Sequence, residues 1–303
     1  MAGKKRPILT VLIILGVLVL FLGTVMTIIH TFLGSSSSSL SLGHKIGVIP
    51  IEGPITDSEP IVSQLVDFRK DKRIKAIILR INSPGGGVGP SQEIYREVRK
   101  TIKAKKVIGS MGSVAASGGY YIAAATNKIV ANPGTITGSI GVIMEFVQIQ
   151  DLLKKIGIGL EVLKSGEFKD IGSPHRKMTE KEKKLIEGLI SDVQGQFVDA
   201  VAQGRSLSVE EIQKIADGRV LTGAQAKELG LVDELGNFRD AVDLAKEMTG
   251  IEGEVDLVYP KKARSRLWDL FLEDAANALY KAIIDGLRNR LEYRWDGLSY
   301  IYK

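Results

Sequence analysis

Hydrophobic and polar positions divide the chain into three textures. From Pro7 to His44 there is no Asp, Glu, Lys or Arg, and the apolar core of this run, Ile8 to Ile29, spans 22 residues. As a helix it would be about 33 Å long, enough to cross a bilayer. From 45 to 260, short continuous apolar runs alternate with stripes at helical spacing. "KIGVIPIEG" (45–53), "KAIILRI" (75–81), "KVIGSMG" (106–112), "KIVANP" (128–133), "SIGVIMEF" (139–146) and "EVLKSG" (161–166) predict buried strands. From 261 to 303 the texture changes again. Leu272, Ala276, Leu279, Ile283 and Leu287 form a helical apolar face, and the segment holds both tryptophans, Trp268 and Trp295.

Between the strand candidates, Ile61, Leu65 and Phe68 share one helical face, as do Ile94, Val98 and Ile102. "GGYYIAAA" reads as a further helical run. Thr179 with Glu182, Ser208 with Glu211 and Thr222 with Gln225 are capping boxes that start helices. After the first box, Leu185, Leu189, Val193, Phe197 and Val201 make a long stripe. Strand and helix alternation predicts an α/β domain with a largely parallel sheet. The organisation expected is a basic stub and transmembrane signal anchor (1–33), a Ser-rich linker (34–44), a globular domain (45–260) and an amphipathic extension (261–303). No internal repeat is evident.

The ends of the apolar run decide topology. Lys4, Lys5 and Arg6 precede it, so the N-terminus is expected in the cytoplasm and the domain outside, on a single pass through the plasma membrane. The run is longer than the apolar region of a cleaved signal and lacks a small-residue exit, which favours an uncleaved anchor over a cleaved signal. The tail could pack on the body, on a partner subunit or on the membrane surface.

Composition removes several chemistries. The 303 residues contain no cysteine, which excludes thiol nucleophiles and disulfides. Three histidines, two of them (His30 and His44) in or beside the apolar N-terminus, argue against a histidine metal centre, and no cofactor or metal is expected. A net charge of +6 without a long basic run gives no nucleic-acid groove.

The remaining candidates are small residues and lysines. "INSPGGGVGPSQE" (81–93) follows a strand and precedes a helix; Gly85, Gly86 and Gly87 leave backbone N–H groups open to an anion or developing oxyanion, or simply form a tight turn. It is not a phosphate loop, because no Gly-Lys-Ser/Thr follows. Ser117 stands where a strand gives way to a helix, a place for an N-cap or for a nucleophile assisted by the Gly118 N–H. A nucleophilic serine needs a base. His175 is the only histidine of the body and reads as a loop residue; Lys164 and Lys169 in "LKSGEFKDIGSP" are the alternatives.

Five segments in this order, "INSPGGGV", "SVAASGGYYIA", "PGTITGSIGVI", "KSGEFKDIGSPHRKMTEKE" and "GRVLTGAQAKELGLVDELG", resemble the single-repeat signal peptide peptidase A proteins, membrane-anchored serine proteases of the S49 type. The resemblance spans about 45–250. It implies the Clp protease/crotonase-like fold of repeated β-β-α units, and a Ser–Lys dyad with Ser117 as nucleophile and Lys169 as base, Lys164 being the weaker choice. It also implies that Ser139 orients the lysine and that the N–H groups of Gly118 and of Gly85 or Gly86 hold the oxyanion. The implied activity is degradation of remnant signal peptides by a ring-like homo-oligomer at the membrane, with serine and lysine meeting within one chain or between two. The alternative is a related membrane protease that cleaves one specific membrane protein. The aromatic tail raises a separate expectation, that it reaches the site as a plug or self-substrate.

Overall fold

The computed structural model describes residues 15–25 and 44–260, with the backbone of 291–294. Helix α1 (15–25) belongs to an N-terminal unit separate from the rest. Its Leu15, Leu18, Leu20 and Phe21 side chains are exposed. Among the described residues no helix is long and apolar enough to cross a membrane. The remainder of the expected anchor, the linker at 34–43 and the tail stripe at 272–287 lie outside the described residues.

The second unit begins with β1 (Lys45–Glu52), α2 (Glu59–Lys70), β2 (Ile74–Ser83), β3 (Gly85–Gly87), α3 (Val88–Thr101), β4 (Lys106–Ala116), α4 (Gly118–Ala124), β5 (Lys128–Ala131) and β6 (Ile136–Gly138). There follow β7 (Ile143–Met144), α5 (Gln150–Lys155), the long α6 (Glu180–Arg205), α7 (Val209–Gln213) and β8 (Val220–Thr222). The series ends with α8 (Gly223–Glu228), β9 (Glu234–Leu235), α9 (Phe238–Thr249), β10 (Asp256–Val258) and, in the tail, β11 (Leu291–Arg294).

The main sheet runs β10-β1-β2-β4-β5-β9, all parallel, with β6 added beside the end of β4 and β8 pairing β6 antiparallel. Its central strands are continuous apolar runs because both faces are covered. On one face Ile49, Ile77, Leu79 and Ile81 pack with Leu65 of α2, Ile94 of α3 and Phe197 of α6. On the other, Ile46, Ile78, Ile108 and Val130 meet Ala241, Val242 and Ala245 of α9. A small second sheet, β3-β11-β7, is antiparallel throughout.

The three capping boxes form as expected, each with its reciprocal pair of hydrogen bonds. Two strand expectations do not hold. The run 139–146 pairs only at Ile143–Met144, and 161–166 makes no strand at all. Its Leu163 is 91% exposed, and a strand requires a ladder partner that this segment lacks. On α6, Val193, Phe197 and Val201 are buried, whereas Leu185 and Leu189 at its start face outward.

Candidate active site

The site begins where β4 ends. The parallel pairing of Ala116 with Gly138 continues into a hydrogen bond from the Ser117 N–H to the Gly138 carbonyl, 2.9 Å. Ser117 then turns sharply, with φ 53° and ψ −118°, before α4 starts. A non-glycine residue in that region is strained, and the neighbouring ladder and helix must hold it there. Two buried tyrosines anchor the helix. The Tyr120 hydroxyl donates to the Leu231 carbonyl at 3.0 Å. Tyr121 packs its ring against Tyr95 and Phe197, and burial pushes its phenol up to about 12.

The capping reading of Ser117 is corrected here: its side chain makes no cap hydrogen bond. Its Oγ is buried and has no hydrogen-bond partner. A hydroxyl in that condition costs stability unless something else uses it.

The glycine turn lies directly against this corner. A methyl group on Gly118 would stand 2.6 Å from Ser91 Oγ and 3.3 Å from the Gly86 nitrogen, so only glycine permits the approach. One on Gly86 would stand 2.2 Å from the Ile55 carbonyl oxygen. The hydrogen bonds of the turn separate its three amides. The Gly85 N–H donates to Ser83 Oγ at 3.1 Å, and the Gly87 N–H to the Ile55 carbonyl at 2.8 Å. The Gly86 N–H is engaged in neither. The Gly118 N–H, at the first position of a helix, has no intrahelical acceptor.

Ser139 sits beside this corner. It follows the carbonyl that receives the Ser117 amide, has φ 50°, and donates its own N–H to the Arg219 carbonyl at 2.8 Å. The structure thus brings together Ser117, Gly118, Gly85, Gly86 and Ser139. No hydrogen bond joins Lys169 to the Ser117 hydroxyl. Lys169 lies in the turns between Gly166 and Ser173, exposed. Lys164 is engaged elsewhere: its Nζ donates to Asp170 Oδ1 at 2.6 Å and to the Glu167 carbonyl at 2.8 Å. His175 is half-buried in the loop.

Three side chains escaped the sequence reading. Ser83 fixes the turn through its hydroxyl, and the serine before Pro84 was the available signal. Ser91 is buried against Gly118 with its Oγ unpartnered. Arg176 gathers two carboxylates beside Lys169. The tail adds a fourth feature: β11 lies between the glycine strand β3 and β7, pairing Tyr293 with Gly86 and Leu291 with Met144.

A strained serine at a strand-to-helix corner, facing a glycine turn on a mostly parallel sheet, is the arrangement of a serine hydrolase. The comparisons specify the class. The Clp protease profile matches residues 39–135 and the Peptidase family S49 profile matches residues 99–252. A putative protease of Synechocystis is 44% identical over 209 residues, 69% of this chain and 76% of that protein. A putative protease of Methanocaldococcus jannaschii is 37% identical over 214 residues, 71% of this chain and 69% of its own. A putative signal peptide peptidase SppA of Enterococcus faecium is 41% identical over 187 residues, 61% of this chain and 54% of that protein. The protein is a serine protease on a Clp-like α/β fold. It belongs to peptidase family S49, whose members work through a Ser–Lys dyad.

Proposed function

We propose that this chain is a membrane-anchored endopeptidase that degrades remnant signal peptides, with Ser117 as nucleophile and Lys169 as general base. The observation that carries the reading is the buried, unpartnered Ser117 hydroxyl at a strained corner against the glycine turn. Neutral Lys169 takes the hydroxyl proton as Oγ attacks a peptide carbonyl. The N–H groups of Gly118 and Gly86 hold the oxyanion. Of the two turn glycines, Gly86 is favoured because the Gly85 amide is spent on Ser83. The protonated lysine passes its proton to the leaving amine, and water, deprotonated in turn, releases the acyl group from Ser117. Ser139 orients the lysine.

Peptide substrate lies as an extended strand between β3 and β7, antiparallel to both. The chain's own β11 takes that track, so the tail competes with substrate. Two features support a homo-oligomeric ring in which Lys169 reaches the Ser117 of a neighbouring subunit. Within the described chain, Ser117 Oγ has no partner. The segment leading to Lys169 also exposes Val147, Leu152, Ile156, Leu160 and Leu163, an apolar surface suited to a second copy. The exposed apolar side chains of α1 and the uncharged run around it support a membrane anchor that keeps the domain outside the cytoplasm. The succession β2, β3, α3 is read as one β-β-α unit of the fold.

Peptide hydrolysis by the full-length chain in detergent tests the dyad. Ser117→Ala and Lys169→Ala should each lower kcat by on the order of 10⁴-fold or more, as removal of a nucleophile or its base does. Lys164→Ala should retain most activity. Near-normal turnover by Lys169→Ala would remove the lysine from the reaction.

A further inference from the structure

The segment that carries Lys169 is fastened by one guanidinium. Arg176 donates from Nε to Asp170 Oδ2 at 2.8 Å, from Nη2 to Asp170 Oδ1 at 2.7 Å and from Nη2 to the Asp170 carbonyl at 3.2 Å. Its Nη1 donates to Glu182 Oε2 at 2.8 Å, and Nη2 bonds Glu182 Oε1. Glu182 is nearly fully buried in the first turn of α6 and closes the capping box there, accepting from the Thr179 N–H at 2.8 Å. Helix α6 is fixed in the core by Val193, Phe197 and Val201. A continuous chain of contacts therefore runs from the core through Glu182 and Arg176 to Asp170, the residue after Lys169.

The same contacts settle the charge of Asp170. Its carboxylate receives Arg176 as a fork and Lys164 as a third donor, and these cations hold it well below the usual carboxylate range. Glu182 is likewise lowered to about 2 by Arg176 and the Thr179 amide. The other charged or titratable groups around the segment are Glu167, His175 and Lys177 in the loop, Lys181 on α6 and Glu145. Glu145 precedes Ile149, whose N–H bonds the loop at the Pro174 carbonyl, 2.8 Å. Glu167 is paired with Lys181 at 2.7 Å.

We propose that Arg176 is a positioning residue for the general base: it ties the Lys169–Asp170 turn to α6 and withholds the Asp170 carboxylate from the Lys169 amine. The inference rests on Lys169 being the base. A base lysine must be neutral to accept a proton, and a free carboxylate next to it would favour the ammonium. Arg176 fixes the place of the amine and removes that opposing charge with one side chain. Its planar fork meets both carboxylates at once, which a lysine at 176 would not do.

The test is the pH dependence of kcat for peptide hydrolysis by the full-length enzyme in detergent, with thermal melts of each variant. Arg176→Ala leaves Asp170 with only the Lys164 cation and should move the acidic limb of the profile upward by up to about one pH unit, in the range expected for a less compensated opposite charge. Asp170→Asn leaves Arg176 and Lys164 uncompensated beside the amine and should move the limb downward. Arg176→Ala/Asp170→Asn together should return it close to wild type. A merely structural role would lower activity and melting temperature without these opposed shifts. Unchanged midpoints, or shifts of the same sign in the two single variants, overturn the proposal. If Arg176→Ala does not fold, Asp170→Asn decides alone: a downward shift supports the proposal and an unchanged midpoint refutes it. Lys169→Ala, run in the same assay, reads the base assignment separately, since full activity there removes the base whatever Arg176 does.

Discussion

The surroundings of Ser117 and those of Lys169 are built in different ways. Ser117 ends a central strand, and its corner is enclosed by β6, the glycine turn and α4, whose residues are buried throughout. Its amide, the Gly85 and Gly87 amides and the Tyr120 hydroxyl all have partners inside the domain. Lys169 stands in a stretch without strands, where apolar side chains such as Leu163 face outward and polar groups are joined by surface ion pairs. The surroundings of Ser117 are thus supplied within one domain. The Lys169 segment has order of its own, through Arg176, but among the described residues nothing covers its apolar side chains. On the proposed reading, such a chain would gain its base only when a second surface delivers the lysine.

Perturbing each half should expose the contrast. After loss of either member of the proposed dyad, the largest effect is expected from Gly118→Ala. The added methyl would stand 2.6 Å from Ser91 Oγ and 3.3 Å from the Gly86 nitrogen, so Ser91, α4 or the glycine turn must shift. If Gly118 holds the oxyanion as proposed, misplacing its N–H in this way should lower kcat by about 10²–10³-fold, measured by peptide hydrolysis. Stability gives the next contrast. Phe197→Ala empties a fully buried site and should cost about 3–5 kcal/mol of unfolding free energy. Leu163→Ser, at a 91% exposed position, should stay within about 0.5 kcal/mol in denaturant unfolding of the dissociated chain. It should nevertheless weaken subunit association, seen in sedimentation. A smaller effect is expected from the tail. Truncation after Pro260 removes the strand that lies on Gly86 and should raise activity at subsaturating peptide. Unchanged activity and unchanged thermal stability would place the tail outside the substrate track.

The same contrast explains what the sequence could and could not tell. The central strands were legible because Ile, Val and Leu fill both faces of a parallel sheet, and three helix starts were legible from their capping boxes. Short strands such as β8, β9 and β10 carry no such signal, being short and at most half-buried. The segment 161–166 misled because an apolar run resembles a strand whether or not an edge is there to pair with it. Leu185 and Leu189 continue the α6 stripe beyond the point where the domain covers it, so periodicity alone made them look buried. At the site, residue chemistry left Ser117 undecided between cap and nucleophile; the backbone angles and the missing cap bond removed the first reading. The hydrogen bond that sets the Gly85 amide apart from that of Gly86, to Ser83 Oγ, is one that no spacing reveals. Arg176 was invisible for a related reason, since its partners are carboxylates six residues away on either side, joined by a fold of the loop.

The proposed division of the site between two chains is tested most directly by mixing. Full-length Ser117→Ala and Lys169→Ala enzymes, each inactive alone, are combined under conditions where labelled subunits are seen to exchange, and peptide hydrolysis is measured. Recovered activity is expected, because some sites then join an intact Ser117 from one chain to an intact Lys169 from another. A mixture that exchanges subunits yet stays inactive would contradict the account and put both members of the dyad in a single chain.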